Sequence, residues 1–108
     1  MSIDIKIHVM DVIDMLESHD YRVDEDGSDV TAWDYLTDAL DIEYIVSNEL
    51  NFLGAIILVS YGGPSIRVNT RTMEVIGHWW GDSYTESFRD NLGVHEAAEE
   101  LYECIQTN

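Results

Sequence analysis

The fold is decided by residues 53–80, which begin with the apolar run Leu53-Gly54-Ala55-Ile56-Ile57-Leu58-Val59-Ser60-Tyr61. A run so rich in β-branched residues is typical of a strand that is central in a sheet or covered on both faces. It is followed by Gly62-Gly63-Pro64, where the glycines permit positive φ and the proline lacks a ladder donor, so the strand ends there. The next residues are Ser65-Ile66-Arg67-Val68-Asn69-Thr70, which alternate with the period of a half-buried strand.

The remainder of this stretch extends the same pattern. Polar, turn-compatible residues at 69–72 precede a further predicted strand over 75–80, and residues 84–88 are expected to form a short edge strand or a loop. A strand over 42–49 precedes the apolar run. The pattern therefore predicts an antiparallel β-meander of three to four strands.

Helical spacing of apolar residues appears on both sides of the meander. It predicts two N-terminal helices, one over 5–19 and one from an N-cap at Ser28 or Asp29 to about Leu40, and one C-terminal helix over 94–105. With 108 residues and 45% hydrophobic content, we expect one α+β domain spanning residues 1–108.

Charge is the unusual property of this sequence. Twenty-two acidic residues stand against five basic ones, giving a formal net charge of −17. Such a surface argues against direct nucleic-acid binding, which needs a basic footprint. The imbalance is concentrated in residues 1–50, with 14 acidic and 2 basic residues, whereas residues 51–108 have 8 and 3. This asymmetry favours a surface that attracts a basic partner over a uniform solubilising coat.

The acidic residues of the first half form rows. Asp11, Asp14 and Glu17 recur every three residues on the first predicted helix, and Asp34, Asp38 and Asp41 are expected to stack along the second. We therefore assign partner binding to these rows and the segment between them, namely Asp11, Asp14, Glu17, Asp24, Glu25, Asp26, Asp29, Asp34, Asp38 and Asp41. Glutamates 96, 99, 100 and 103 are expected to form a second acidic face on the last helix.

Catalytic and metal sites have weaker support. An EF-hand loop centred on Gly27 would place Arg22 and Trp33 at ligand positions, so a solvated acidic turn is favoured. His95-Glu96 followed by Glu99 lacks the second histidine of a zinc-protease helix. No carboxylate pair has an apolar setting suited to acid–base work. The sequence thus predicts a protein that is not an enzyme and has no cofactor or metal.

Two adjacent tryptophans, Trp79 and Trp80, end the meander. Alternation puts them on opposite sides, so we expect one to fill the core and the other to be partly exposed, where it would suit an interface beside Asp82.

The segments Tyr61–Thr70 and Val75–Asp82 together resemble a motif of small proteins from phages and mobile elements. In size, acidity and lack of a catalytic motif, the chain is also similar to phage anti-defence proteins, which include anti-CRISPR and anti-restriction inhibitors of the DNA-mimic type. This similarity of type transfers no individual functional residues.

The leading hypothesis is a non-enzymatic inhibitor that occupies the basic DNA-binding cleft of a bacterial defence nuclease, with a CRISPR effector such as Cas9 as the first candidate. An acidic adaptor or immunity-type protein that binds a basic protein unrelated to DNA is the alternative, followed by a small carboxylate-dependent hydrolase. The single cysteine and the interrupted N-terminal apolar pattern predict the host-cell cytoplasm, with no membrane association. Homodimerisation through the meander edge is left open.

Overall fold

The computed structural model describes residues 3–17 and 32–106. The elements in chain order are α1 (Ile3–Glu17), α2 (Ala32–Thr37), β1 (Asp41–Val46), β2 (Phe52–Ser60), β3 (Ser65–Asn69), β4 (Glu74–Trp79), β5 (Asp82–Ser87) and α3 (Val94–Gln106). The predicted α+β class is confirmed, with one antiparallel sheet in the strand order β1-β2-β3-β4-β5.

The sheet has five strands where the sequence predicted three to four. The additional strand is β5, which pairs with β4 from Trp79 opposite Asp82 to Glu74 opposite Ser87. Its sequence, Asp-Ser-Tyr-Thr-Glu-Ser, has little of the apolar alternation that marks a strand. Hydrogen bonding to a neighbouring strand, rather than side-chain pattern, establishes it as part of the sheet.

The second helix is shorter than expected, because it ends at Thr37 and not near Leu40. The Ala39 amide donates to the Leu36 carbonyl, and the Leu40 amide donates to the Leu58 carbonyl at 2.8 Å. Strand pairing therefore takes over before the helical periodicity ends, and Asp41 is already the first residue of β1. The proposed cap at Ser28 or Asp29 lies outside the described residues.

Strand alternation divides the sheet into two faces. The side chains that point to the helices form the helical face, and most of the larger ones are buried or packed on the core. This face consists of Ile42, Tyr44, Ala55, Ile57, Ile66, Val68, Val75, Gly77, Tyr84 and Glu86. Helix α1 packs on β4 and β5, and α3 packs on β2, so both helices lie on this face.

Gly77 of β4 sets the distance between α1 and the sheet. A β-carbon at this position would lie 2.7 Å from Ile5 Cδ1 and 2.7 Å from Val9 Cγ2. Both side chains are fully buried. The helix can approach β4 this closely because the strand has no side chain there.

Helix α3 is held at its start by hydrogen bonds to one carboxylate. Asp90 Oδ1 accepts from the amides of Gly93 and Val94, and its Oδ2 accepts from the His95 amide at 2.8 Å. These are amides that the first turn of a helix leaves without an intrahelical partner. Asp90 is thus a capping residue, and its charge has a structural role.

A buried polar contact fixes α3 to β2. Thr70 Oγ1 accepts a hydrogen bond from the Ala55 amide at 2.8 Å and lies 2.9 Å from His95 Nδ1. The His95 ring also packs against Phe52, with ring centroids 5.1 Å apart. The position of α3 over the sheet is therefore specified by hydrogen bonding as well as by apolar burial.

The opposite side of the sheet is named the open face. None of its side chains is buried, and its aliphatic residues are outside the hydrophobic core formed by the described residues. The open face consists of Asp41, Glu43, Ile45, Ile56, Leu58, Ser65, Arg67, Asn69, Glu74, Ile76, His78, Ser83, Thr85 and Ser87. The molecule therefore has two layers, helices over one sheet.

We predict that Gly77→Ala lowers the free energy of unfolding by about 1–3 kcal/mol, because the added methyl group overpacks the contact with Ile5 and Val9. Urea denaturation followed by circular dichroism measures this change. Gly63→Ala is the control, since a β-carbon there meets no atom within 4 Å. Equal stability of the two variants would contradict the role given to Gly77.

Candidate interaction surfaces

The acidic row predicted on α1 is partly exposed and partly structural. Asp11 and Asp14 are exposed. Glu17 is half-buried, and its Oε2 accepts a hydrogen bond from the Arg89 amide at 2.9 Å. Its backbone carbonyl accepts from Asn91 Nδ2. Asp11 and Asp14 are therefore available to a partner, whereas Glu17 joins the end of α1 to the loop before α3.

The second predicted row is not a helical ladder. Asp34 lies in α2, Asp38 lies in the turn that follows it, and Asp41 begins β1. Asp41 points to the open face, away from the helices. The expectation that these three carboxylates stack along one helix is wrong, because the chain leaves the helix at Thr37. Asp24, Glu25, Asp26 and Asp29 lie outside the described residues.

The glutamates of α3 are not among the partner-binding residues predicted from the sequence, yet they lie in the same layer as α1. Both helices cover the helical face of the sheet, so the solvent-exposed sides of α1 and α3 face in the same direction, away from the sheet. We name the exposed acids of this layer the anionic helical surface: Asp11, Asp14, Asp38, Glu96, Glu100 and Glu103. Their helical spacing was visible in the sequence, but the shared layer was not.

Basic residues are nearly absent from this surface within the described ranges. Lys6 is the only lysine or arginine in the described parts of the helices, and its Nζ lies 5.7 Å from the centre of the Tyr84 ring. Arg67 and Arg71 are on β3 and the β3–β4 turn, and Arg89 lies in the loop before α3, where its amide contacts Glu17 at the end of α1. The helical layer therefore presents mostly negative charge, with few nearby cations to neutralise it.

Glu86, an acidic residue near α1, is hydrogen-bonded within the protein. The Tyr84 hydroxyl donates a hydrogen bond to Glu86 Oε2, both on the helical face of β5. This hydrogen bond, with partial burial and the charge of Glu86, raises the pKa of the Tyr84 phenol. Glu86 is therefore not counted in the anionic helical surface.

A polar groove crosses the anionic helical surface between α2 and α3. It has a volume of about 280 Å³ and is lined by Ala32, Trp33, Leu92, Gly93, Glu96, Ala97 and Glu100. Trp33 is 40% exposed, and Glu96 and Glu100 are exposed on the first turns of α3. An aromatic face beside two carboxylates has the chemistry that an arginine or lysine side chain prefers.

A more apolar cleft of about 340 Å³ lies between α1, Tyr35 of α2, and the ends of β2 and β3. Among its lining residues it has one carboxylate, Asp11, and one imidazole, His8. Burial raises the pKa of the Tyr35 phenol well above its ordinary value. Among the described residues, this lining has no carboxylate pair of the kind that the hydrolase hypothesis requires.

One tryptophan packs on the core and the other is exposed, as expected, but Trp80 lies in the turn after β4 and not on the opposite face of the strand. Trp79 packs on the core edge, with its ring 5.7 Å from that of His8 in an edge-to-face arrangement. Trp80 is 88% exposed. Trp80 and Gly81 form the two-residue β4–β5 turn, with φ values of 53° and 82°. Positive φ at both positions is the type I′ geometry, for which asparagine or glycine is the favoured first residue.

The fold and these surfaces define a two-layer α+β protein with one anionic side. Comparison with known families, curated proteins and solved structures finds no match to this chain. Within the described ranges, no helix is long and apolar enough to cross a membrane. No group of three or more histidine, cysteine, aspartate or glutamate residues in those ranges is arranged to hold a metal ion.

We predict that Trp80→Asn preserves the free energy of unfolding or raises it by up to about 1 kcal/mol, because asparagine tolerates positive φ better than a bulky residue. Thermal and urea denaturation measure the effect. Trp79→Asn is the contrasting variant and should destabilise, because Trp79 packs on the core. A stability loss at Trp80 as large as that at Trp79 would show that the exposed indole supports the fold.

Proposed function

We propose that this protein is a non-enzymatic inhibitor that places its anionic helical surface in the DNA-binding cleft of a bacterial defence nuclease, with a CRISPR effector as the first candidate. One observation supports the proposal above all others. Exposed carboxylates from α1, the turn after α2, and α3 occupy one layer, and Lys6 is the only lysine or arginine in the described parts of these three helices.

The charge pattern suits a partner that ordinarily binds DNA. A duplex presents about one negative charge per 1.7 Å of axis with both strands counted, so its competitor needs many acids on one side. The anionic helical surface draws six exposed carboxylates from three segments. A basic cleft would attract this surface at long range, which makes association fast and dependent on salt.

The groove between α2 and α3 supplies a contact point within this surface. A guanidinium group that enters it would stack on Trp33 and meet the carboxylates of Glu96 and Glu100. Arginine is the residue with which Cas9-type effectors read a short duplex motif. The proposed contact therefore combines charge attraction with a defined aromatic site.

Competition for DNA is the direct test. Purified CRISPR effectors and restriction nucleases are incubated with the protein, and binding of labelled target DNA is measured over a range of salt concentrations. We expect at least one effector to lose DNA binding, with less inhibition at high salt. If saturating protein leaves DNA binding by every nuclease unchanged, the cleft proposal fails.

The alternative partner is a basic protein without affinity for nucleic acid. It would use the same surface, because the anionic charge and the Trp33 groove suit any exposed arginine. A pull-down from host lysate, eluted with a salt gradient, separates the two proposals. Partners that bind DNA on their own favour the inhibitor, and partners that do not favour the adaptor.

The surface itself is tested by two triple variants with equal charge change. Asp14→Asn/Glu96→Gln/Glu100→Gln removes three exposed acids from the anionic helical surface, and Asp41→Asn/Glu43→Gln/Glu49→Gln removes three exposed acids from β1 and the turn after it. We expect the first to weaken inhibition by about tenfold or more and the second to weaken it much less. Equal loss would mean that net charge, rather than this surface, determines binding.

A further inference from the structure

The open face of the sheet carries more aliphatic side chain than a solvated face requires. An antiparallel sheet with one face in water usually places polar residues on that side. Here Ile56 and Leu58 of β2 and Ile76 of β4 point to the open face, and none belongs to the core of the described residues. The inward residues of the apolar run of β2 are thus buried under the helices, whereas its outward residues Ile56 and Leu58 are only half-buried.

These side chains are close together in the sheet. Leu58 is directly opposite Arg67, and Arg67 is directly opposite Ile76, so one row crosses the three inner strands. Ile56 lies two residues before Leu58 on the same side of β2. The stem of Arg67 is apolar, so this row forms a continuous patch with one charged group at its centre.

The charges of the open face are mixed, unlike those of the helical layer. Arg67 lies in its middle, and Arg71 lies over Gly54, where an added β-carbon would be 2.6 Å from Arg71 Cβ. The acids are Asp41 and Glu43 at the β1 margin and Glu74 on β4. A surface that has both signs of charge is able to complement a copy of itself, whereas the anionic helical surface is not.

We propose that the open face binds a second copy of this chain, giving a symmetric dimer in which two sheets pack face to face and the helices lie outside. This proposal does not depend on the proposed function. Sheets packed in this way are about 10 Å apart and interdigitate their facing side chains. The dimer covers the outward residues of β2 and β4, and it leaves both anionic helical surfaces free.

Like-charge repulsion does not prevent this arrangement. Two sheets and two helical layers separate the outer surfaces by roughly 40 Å, since each layer is about 10 Å thick. The Debye length at physiological ionic strength is about 8 Å, so the two negative layers are largely screened from each other. In contrast, contact between two helical layers would bring their uncompensated carboxylates together.

Pairing through the β1 edge is less favourable. Asp41 and Glu43 both point to the same side of that edge strand. Joining two β1 strands would extend the sheet and bring these acids near those of the second copy on one face. Like charges beside each other across strands destabilise the pairing.

The size of the open face indicates a weak dimer. Five strands about 4.8 Å apart and about six residues long give a face of roughly 24 Å by 20 Å. Two copies would bury about 1,000 Å² in total, which is near the lower limit for a specific interface. We therefore expect a dimer whose population depends on concentration in the micromolar range.

Analytical ultracentrifugation of the purified full chain, from about 5 to 500 µM, tests the proposal. We expect the mass to rise from the 12.3 kDa of one chain towards twice that value. Leu58→Thr/Ile76→Thr should weaken dimerisation by about tenfold or more. Ile7→Gln/Met10→Gln, which alters exposed apolar residues of α1, should leave it unchanged.

A monomer at every concentration overturns the proposal, and so does a dimer that the Leu58/Ile76 variant leaves intact. Methyl NMR of the unmodified protein provides a second test, and its result does not depend on whether a variant folds. The methyl signals of Ile56 and Ile76 should shift on dilution, while that of the exposed Ile7 should not. Concentration-dependent shifts at Ile7 instead would place the contact on the helices.

Discussion

The close contact between α1 and β4 is the constraint on which the rest of the structure depends. Ile5 and Val9 occupy the space that a side chain at position 77 would fill. Because α1 lies so near the sheet, its apolar stripe is buried and Asp11 and Asp14 point outward. The outward position of these two carboxylates therefore follows from the packing of α1 on Gly77.

The capping of α3 completes the layer. Asp90 binds three backbone amides at the start of this helix, and the contact between His95 and Thr70 fixes the helix over β2. Together with the burial of Val94, Ala97 and Ala98, these contacts fix the glutamates of α3 relative to the sheet. Acidic residues thus have two distinct roles. Asp90 and Glu17 accept hydrogen bonds from backbone amides, whereas other acidic residues are exposed to solvent.

The two sides of the molecule differ in their physical chemistry. The helical layer repels copies of itself and attracts cations, whereas the open face has mixed charge around an aliphatic patch. These properties do not conflict, because the sheet separates them. A dimer through the open face would present two anionic surfaces in opposite directions, and a basic partner could engage either one.

The sequence by itself determined the α+β class, the meander and the main turns, because these follow from local periodicity and from glycine and proline chemistry. It also determined that one of two adjacent tryptophans would be exposed. The tertiary structure alone decided that β5 joins the sheet, that α2 ends at Thr37, and that Asp41 points away from the helices. It alone placed the glutamates of α3 on the same side of the sheet as the acids of α1. The reason is that strand pairing and layer packing join residues far apart in the chain, and local patterns contain no information on which face two separate helices will share.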